Sequence, residues 1–183
     1  MTTLITGGAG FVGNRLASLL VSSGQPIVIL DNFNDFYDPA IKRANVAALG
    51  KDVPVIEGDI RDSALVTRLF GEHKITRVAH LAGLANVRKS IEFGDEYADV
   101  NTTGSVNLMN IARKFPVSVF VQISTHHQHH RLLQNRRQPV GRHGKRRRRA
   151  EKGQRRLITV GQQAIAEHTD KLAVVQIMAE LNH

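Results

Sequence analysis

Apolar and polar positions alternate in a repeating rhythm over the first 125 residues. Short apolar runs, bounded by turn residues, take turns with longer stretches of helical period. Thr2–Thr6 is the first run and ends in glycines. Phe11–Ser23 follows, with Phe11, Leu16, Leu19 and Leu20 near helical spacing and Gly24 as a stop. Pro26–Leu30 ("PIVIL") reads as a buried strand. Pro39 opens a helix that runs to Leu49 and is closed by Gly50. Val53–Asp59 is a third strand, and Ser63 caps a helix to Phe70. Arg77–Gly83 is a fourth strand, Asp95–Lys114 a long helix, and Val117–Ser124 a fifth, valine-rich strand. Uninterrupted apolar strands that alternate with helices predict an α/β fold: a doubly wound parallel sheet with helices on both faces.

The rhythm stops at Thr125. Residues 126–156 have almost no apolar content and no period, so they read as a disordered basic segment. From Leu157 to His183 the chain turns apolar again. That stretch fits either one amphipathic helix or a helix followed by a strand at Leu172–Met178. The expected division is therefore a domain over 1–125, a basic segment over 126–156 and a short C-terminal segment over 157–183.

Charge follows the same boundaries. The chain has 183 residues and a formal net charge of +9. Residues 126–156 hold 12 Lys/Arg against one acid, Glu151, a net of +11. The rest has 13 basic and 15 acidic residues, a net of −2. The basicity belongs to one segment, where "KRRRR" (Lys145–Arg149) predicts non-specific attraction to nucleic acid. No aromatic residues stand beside it to stack bases. "HHQHH" (His126–His130) with His143 offers imidazoles but no accompanying carboxylate, so no specific metal site is expected. Cysteine is absent, which excludes disulfides, a thiol nucleophile and thiolate metal ligands. No apolar run approaches the ~20 residues needed to cross a bilayer. The N-terminal stretch lacks a basic n-region and is broken by Gly7, Gly8, Gly10 and Gly13, so no secretory leader is read there. A cytoplasmic protein without membrane attachment is expected.

The candidate chemistry lies in "LITGGAGFVG" (Leu4–Gly13). Gly7, Gly10 and Gly13 follow a strand and open a helix. Gly7 permits a sharp turn, Gly10 a close approach of backbone to a pyrophosphate, and Gly13 close packing of helix on strand. The helix N-terminus offers free N–H groups to the phosphates. Asp31 ends the second strand 18 residues after Gly13, where a carboxylate accepts from the ribose hydroxyls of an adenosine. The next residue is Asn32 rather than an arginine. No cation is therefore expected to meet a 2′-phosphate, and NAD is favoured over NADP. Asp59 and Ile60, in "EGDIRD", are placed beside the adenine.

These motifs resemble the extended short-chain dehydrogenase/reductase superfamily, in its nucleotide-sugar epimerase/dehydratase branch. "TGGAGFVG", "LDNFNDFYDPAIKRAN", "EGDIRD", "HLAGLANVRKSIEFGDEYADVNTTGSVNLM" and "VFVQIST" occur in that family's order and spacing, and "DNFNDFYD" is most similar to UDP-glucuronate 4-epimerases. The resemblance covers residues 2–125. It implies a Rossmann-type sheet of strand order 3-2-1-4-5 and a bound NAD that oxidises a sugar hydroxyl and later returns the hydride. Gly7, Gly10, Phe11 and Val12 would face the pyrophosphate, with Gly13 completing the cofactor-binding loop, Asp31 and Asn32 the adenosine ribose, and Asp59 and Ile60 the adenine. Leu81, Ala82 and Gly83 would line the nicotinamide side, with Asn101 near the cofactor. Arg88 and Ser90 would grip a carboxylate or phosphate of a UDP-sugar.

The family pattern then breaks. Ser124 and Thr125 begin the family's Ser/Thr motif, which polarises the sugar hydroxyl, but "HHQHH" replaces its continuation. The family's Tyr-x-x-x-Lys pair supplies the general base, a tyrosine whose pKa is lowered by the lysine and the positive nicotinamide. The two tyrosines here are followed four residues on by Ile41 (from Tyr37) and Asn101 (from Tyr97). The family's C-terminal sugar-binding subdomain has no counterpart up to His183. The expectation is a truncated epimerase or dehydratase that binds NAD without turnover, with residues 126–183 reading as a replaced or out-of-frame ending. A helix that carries the lost pair often forms the family's dimer contact, so dimerisation is not expected. The competing reading is a non-enzymatic NAD-binding module with a basic arm for nucleic acid.

Overall fold

In a computed structural model, the described residues are 1–36, 38–124 and the strand at 156–161. Six parallel strands form one sheet: β1 (Thr2–Thr6), β2 (Ile27–Asp31), β3 (Val55–Glu57), β4 (Ile75–His80), β5 (Val119–Ser124) and β6 (Arg156–Gly161). Their order across the sheet is β3-β2-β1-β4-β5-β6. The predicted order 3-2-1-4-5 holds, and the sheet gains a strand. β6 pairs with β5 from Val119↔Arg156 to Ser124↔Gly161. Sequence reading placed Arg156 in the basic segment and Leu157–Gly161 at the start of the apolar C-terminal segment. The strand runs across the expected 156/157 boundary, and the helix or helix-strand expected over 164–181 lies outside the described residues. The rest of the two C-terminal segments, with the histidine and arginine clusters, lies outside the described residues.

The helices are α1 (Phe11–Ser22), α2 (Pro39–Ala47), α3 (Ser63–Glu72), α4 (Val87–Glu92), α5 (Gly94–Ala98) and α6 (Ser105–Ala112). The six-residue α4 was not predicted. Pro39 occupies the first turn of α2 after its Asp38 cap, and Asp62 caps α3 by accepting from the amides of Ala64 and Leu65. The long helix expected over Asp95–Lys114 exists, but its centre, Asp99–Gly104, is wound as a π-helix between α5 and α6. Such insertions re-aim side chains and cluster at functional sites.

Alternate strand residues feed two cores because both faces of a doubly wound sheet are covered. Leu4, Leu30, Val78 and Phe120 pack with Val66, Leu69 and Phe70 of α3 and with Leu108 and Ile111 of α6. Ile5, Ile29, Ala79 and Val121 point the other way, onto Leu16, Ala17 and Leu20 of α1. This period of two with apolar residues on both faces is why the strands read as continuous apolar runs. The carboxyl ends of β1, β2 and β4 consequently open on one side, where β1 and β4 lie side by side although far apart in sequence. Among the described residues no helix is long and apolar enough to cross a membrane.

Candidate functional site

A cleft opens above the carboxyl ends of the central strands. Its walls include Gly7 and Gly10 from the loop after β1, Asp31 and Asn32 from the end of β2, and Gly58, Asp59 and Ile60 after β3. Leu81, Ala82 and Gly83, just beyond β4, close the opposite side. Nine of the residues singled out from the sequence thus meet around one space. Phe11, Val12 and Gly13 form the first turn of α1 after Gly10 and are not in the cleft wall; Phe11 is largely exposed.

The glycine loop is fixed by contacts that only glycine allows. Gly7 has φ +69°, donates its N–H to Leu30 O (2.8 Å) and accepts from Gly10 N–H (3.1 Å). A Cβ at Gly7 would lie 2.7 Å from Ala82 N, and one at Gly13 would collide with the carbonyl oxygen of Gly7. The loop therefore packs against both α1 and the β4 loop with no room for side chains. Gly10 caps α1 without any side-chain hydrogen bond to the first turn, and that turn contains no acid. Its N–H groups and the positive end of the helix dipole remain available to an anion.

Asp31 is only 6% exposed. Its Oδ2 accepts from Ala9 N–H (3.0 Å) and its Oδ1 from Phe33 N–H (2.9 Å). The carboxylate thus ties the glycine loop to the turn after β2, where Phe33 has φ +48°. Two carboxylate oxygens hold more acceptor capacity than these amides use, so hydroxyl donors fit here too. The side chain of Lys42, from the first turn of α2, reaches the same place. It is 5% exposed, donates to Asn34 Oδ1 (2.5 Å) and sits 3.7 Å from Asp31 Oδ1. Sequence reading expected no cation beside Asp31 and Asn32, and Lys42 is one. Lys42 and Asn34 both line the cleft. A lysine in a helix otherwise exposed reads from sequence as solvated, and its burial as the one buried residue of α2 is visible only in three dimensions.

Asp59 lines the cleft and accepts from Arg61 Nε (3.0 Å) and Nη2 (2.7 Å). These hydrogen bonds hold its carboxyl below the ordinary carboxylate range, against the opposing effect of partial burial. Arg61 also donates to Asp99 Oδ2 (2.7 Å), and the two acids raise its pKa. Ile60 is buried under Gly104 of the π segment.

Asn101 is near the cleft but not in its wall. Its Oδ1 accepts from Leu84 N–H (2.8 Å) and its Nδ2 donates to Leu84 O (2.9 Å). It clamps the loop that lines the cleft. Arg88 and Ser90 lie on α4, outside the cleft wall. Arg88 is exposed, and Ser90 Oγ donates to Val87 O (2.7 Å). Ser124 ends β5 opposite Gly161. Thr125 and Tyr37 lie outside the described residues. Among the described residues no group of His, Asp or Glu is arranged to hold a metal ion.

Residues 4–129 match the family model described as GDP-mannose 4,6 dehydratase. The chain belongs to this family. UDP-glucuronate 4-epimerase 3 of Arabidopsis thaliana is 44% identical over 113 residues, which cover 61% of this chain and 26% of that one. UDP-glucose 4-epimerase of Neisseria gonorrhoeae is 41% identical, covering 59% of this chain and 32% of that one. Among solved structures, the UDP-glucose 4-epimerase of Thermus thermophilus in complex with NAD superposes with a TM-score of 0.61 at 36% identity, covering 68% of this chain and 38% of that one. The Bifidobacterium longum enzyme in complex with NAD+ and UDP gives 0.62 at 32%, covering 69% and 37%. The chain of this epimerase/dehydratase member thus spans about a quarter to two-fifths of the length of these relatives, and it matches their N-terminal part.

Proposed function

We propose that this family member binds NAD in the cleft and does not by itself turn over a nucleotide sugar. One observation carries the reading: an uncapped helix N-terminus, a glycine cradle and the Asp31 carboxylate face the same space. The pyrophosphate is assigned to the first turn of α1, including Gly10, Phe11, Val12 and Gly13. The adenosine ribose is assigned to Asp31 and Asn32, and the adenine to Asp59 and Ile60. The nicotinamide end follows Leu81, Ala82 and Gly83. NAD rather than NADP follows from Asp31, whose carboxylate repels a 2′-phosphate, although Lys42 partly offsets that charge. When bound, NAD supplies a hydride acceptor and donor. The residues of this chain bind and orient it.

Epimerisation or dehydration of a UDP-sugar also needs a base for the sugar hydroxyl. Ser124 and Thr125 match in sequence the start of the family's Ser/Thr motif, but the sequence has no Tyr-x-x-x-Lys pair. Arg88, exposed on α4, is the candidate for a substrate carboxylate or phosphate, and Ser90 the weaker one because its hydroxyl is already engaged. Calorimetric titration with NAD tests the reading. The wild-type chain should bind NAD saturably, and Asp31→Ala should weaken binding by about tenfold or more, the scale of a hydrogen bond to a charged group. Equal binding by the variant would refute the assignment. Measured epimerisation of UDP-glucuronate would refute the absence of turnover.

A further inference from the structure

The cleft loop Leu81–Leu84 hangs from a buried hydrogen-bond chain whose centre is a histidine. His80, at the end of β4, is 2% exposed and packs edge-on against Phe120 at 6.2 Å between ring centroids. Its Nδ1 lies 2.7 Å from Thr6 Oγ1 and its Nε2 lies 2.8 Å from Ser105 Oγ. Thr6 Oγ1 also accepts from Ala82 N–H (3.3 Å). Ser105 Oγ donates to Asn101 O (2.7 Å), and the side chain of Asn101 clamps Leu84 through two hydrogen bonds. The chain runs from Ala82 through Thr6, His80, Ser105 and Asn101 to Leu84. It begins and ends on the same loop.

The proton positions follow from counting donors. A hydroxyl has one proton. Ser105 gives its proton to Asn101 O, so towards His80 it accepts, and His80 carries its proton on Nε2. A neutral imidazole then has a bare Nδ1, which accepts the proton of Thr6. That leaves Thr6 Oγ1 free to accept from Ala82 N–H. This tautomer serves all four hydrogen bonds, from Ala82 to Thr6, Thr6 to His80, His80 to Ser105 and Ser105 to Asn101, at once. With the proton on Nδ1 and Ser105 still donating to Asn101 O, Nε2 and the Ser105 oxygen would face each other with lone pairs.

We infer that His80, donating from Nε2 to Ser105, is a positioning residue that fixes the Leu81–Leu84 wall of the cleft through Thr6 on one side and Ser105–Asn101 on the other. The inference rests on the NAD reading for what the wall is used for, not for the chain itself. The wall borders the nicotinamide end, whereas Asp31, Asp59 and Ile60 hold the adenosine end. Weakening the chain should loosen the whole dinucleotide and spare its adenosine half.

The test compares NAD with ADP on the full chain, using Thr6→Val, Thr6→Ser and Ser105→Ala. Thr6→Val keeps the shape and removes the hydroxyl, and Thr6→Ser keeps the hydroxyl. Thr6→Val and Ser105→Ala should each lower NAD affinity about tenfold, with ADP affinity unchanged within about twofold and Thr6→Ser near wild type. The double variant Thr6→Val/Ser105→Ala should be no worse than the weaker single one, because both cut the same chain. Equal loss of NAD and ADP, or additive losses, would overturn the inference. The ring-nitrogen shifts of His80 in NMR report the tautomer directly, and an Nδ1–H signature would also overturn it. Should the wild-type chain bind neither nucleotide, the cofactor reading fails alone. Amide exchange at Ala82 and Leu84 then decides the brace: faster exchange in both variants supports it, and unchanged exchange refutes it.

Discussion

Gly7 and Gly24 share a backbone angle of φ +69° and differ in everything around it. A Cβ at Gly24 would meet nothing within 4 Å, while one at Gly7 would meet the backbone of Leu81 and Ala82. The pair separates conformational strain from steric overlap. Gly24→Ala should cost about 1 kcal/mol, the price of a left-handed alanine. Gly7→Ala should cost a further 1–3 kcal/mol, roughly that of an overpacked site, and should push the Leu81–Ala82 wall outward. Urea denaturation of both variants checks this, and equal losses would contradict the crowding at Gly7. The glycines were legible in the sequence because their spacing follows from the turn itself. Lys42 was not, because nothing in "PAIKRAN" marks one lysine as turned inward towards Asp31. Contacts between residues distant in sequence, such as Thr6 with His80, leave no local pattern at all.

At the scale of elements, the apolar rhythm gave strands and helices in the right order because burial on both faces of a parallel sheet imposes it. It missed α4, which has too few turns to show a period, and the π winding of Asp99–Gly104, whose apolar spacing still passes as helical. β6 was missed because its flank is basic. The π segment matters to the cleft through two contacts. Asn101 holds Leu84, and Asp99 receives Arg61, which also grips Asp59. Arg61 thereby joins the loop after β3 to the π segment. The hydrogen bonds from Arg61 lower the folded pKa of Asp59 from its usual 3.8. A depressed folded value means that Asp59 stabilises the fold above its unfolded pKa. This contribution is lost as pH falls through the folded value, below about 4. Arg61→Met should return Asp59 to the ordinary carboxylate range and flatten that acid-side loss. A carboxyl titration by NMR gives the first result, and stability measured at pH 3 and pH 6 gives the second. An Asp59 that titrates identically in the variant would show that Arg61 does not set its charge.

For the whole molecule, the basic charge and the residues proposed to hold NAD belong to different parts of the chain. Residues 126–156 carry a net +11, and the remainder carries −2 although it contains every residue assigned to NAD. Two ligands of like charge should therefore respond differently to salt. Duplex DNA is held by counterion release, and each phosphate neutralised adds roughly −0.9 to the slope of log affinity against log salt. Attraction to the basic segment should fall by orders of magnitude between about 50 and 200 mM salt. On the proposed assignment NAD would be held by directed hydrogen bonds in a cleft whose Lys42 is already paired with Asp31, so its affinity should change little over that range. Saturating NAD should also leave DNA binding unaltered, since the two use separate residues. Fluorescence anisotropy of labelled DNA, with and without NAD across the salt series, measures all three. DNA binding that survives high salt would mean specific recognition rather than charge attraction. Displacement of DNA by NAD would mean that the cleft, not the basic segment, takes the nucleic acid.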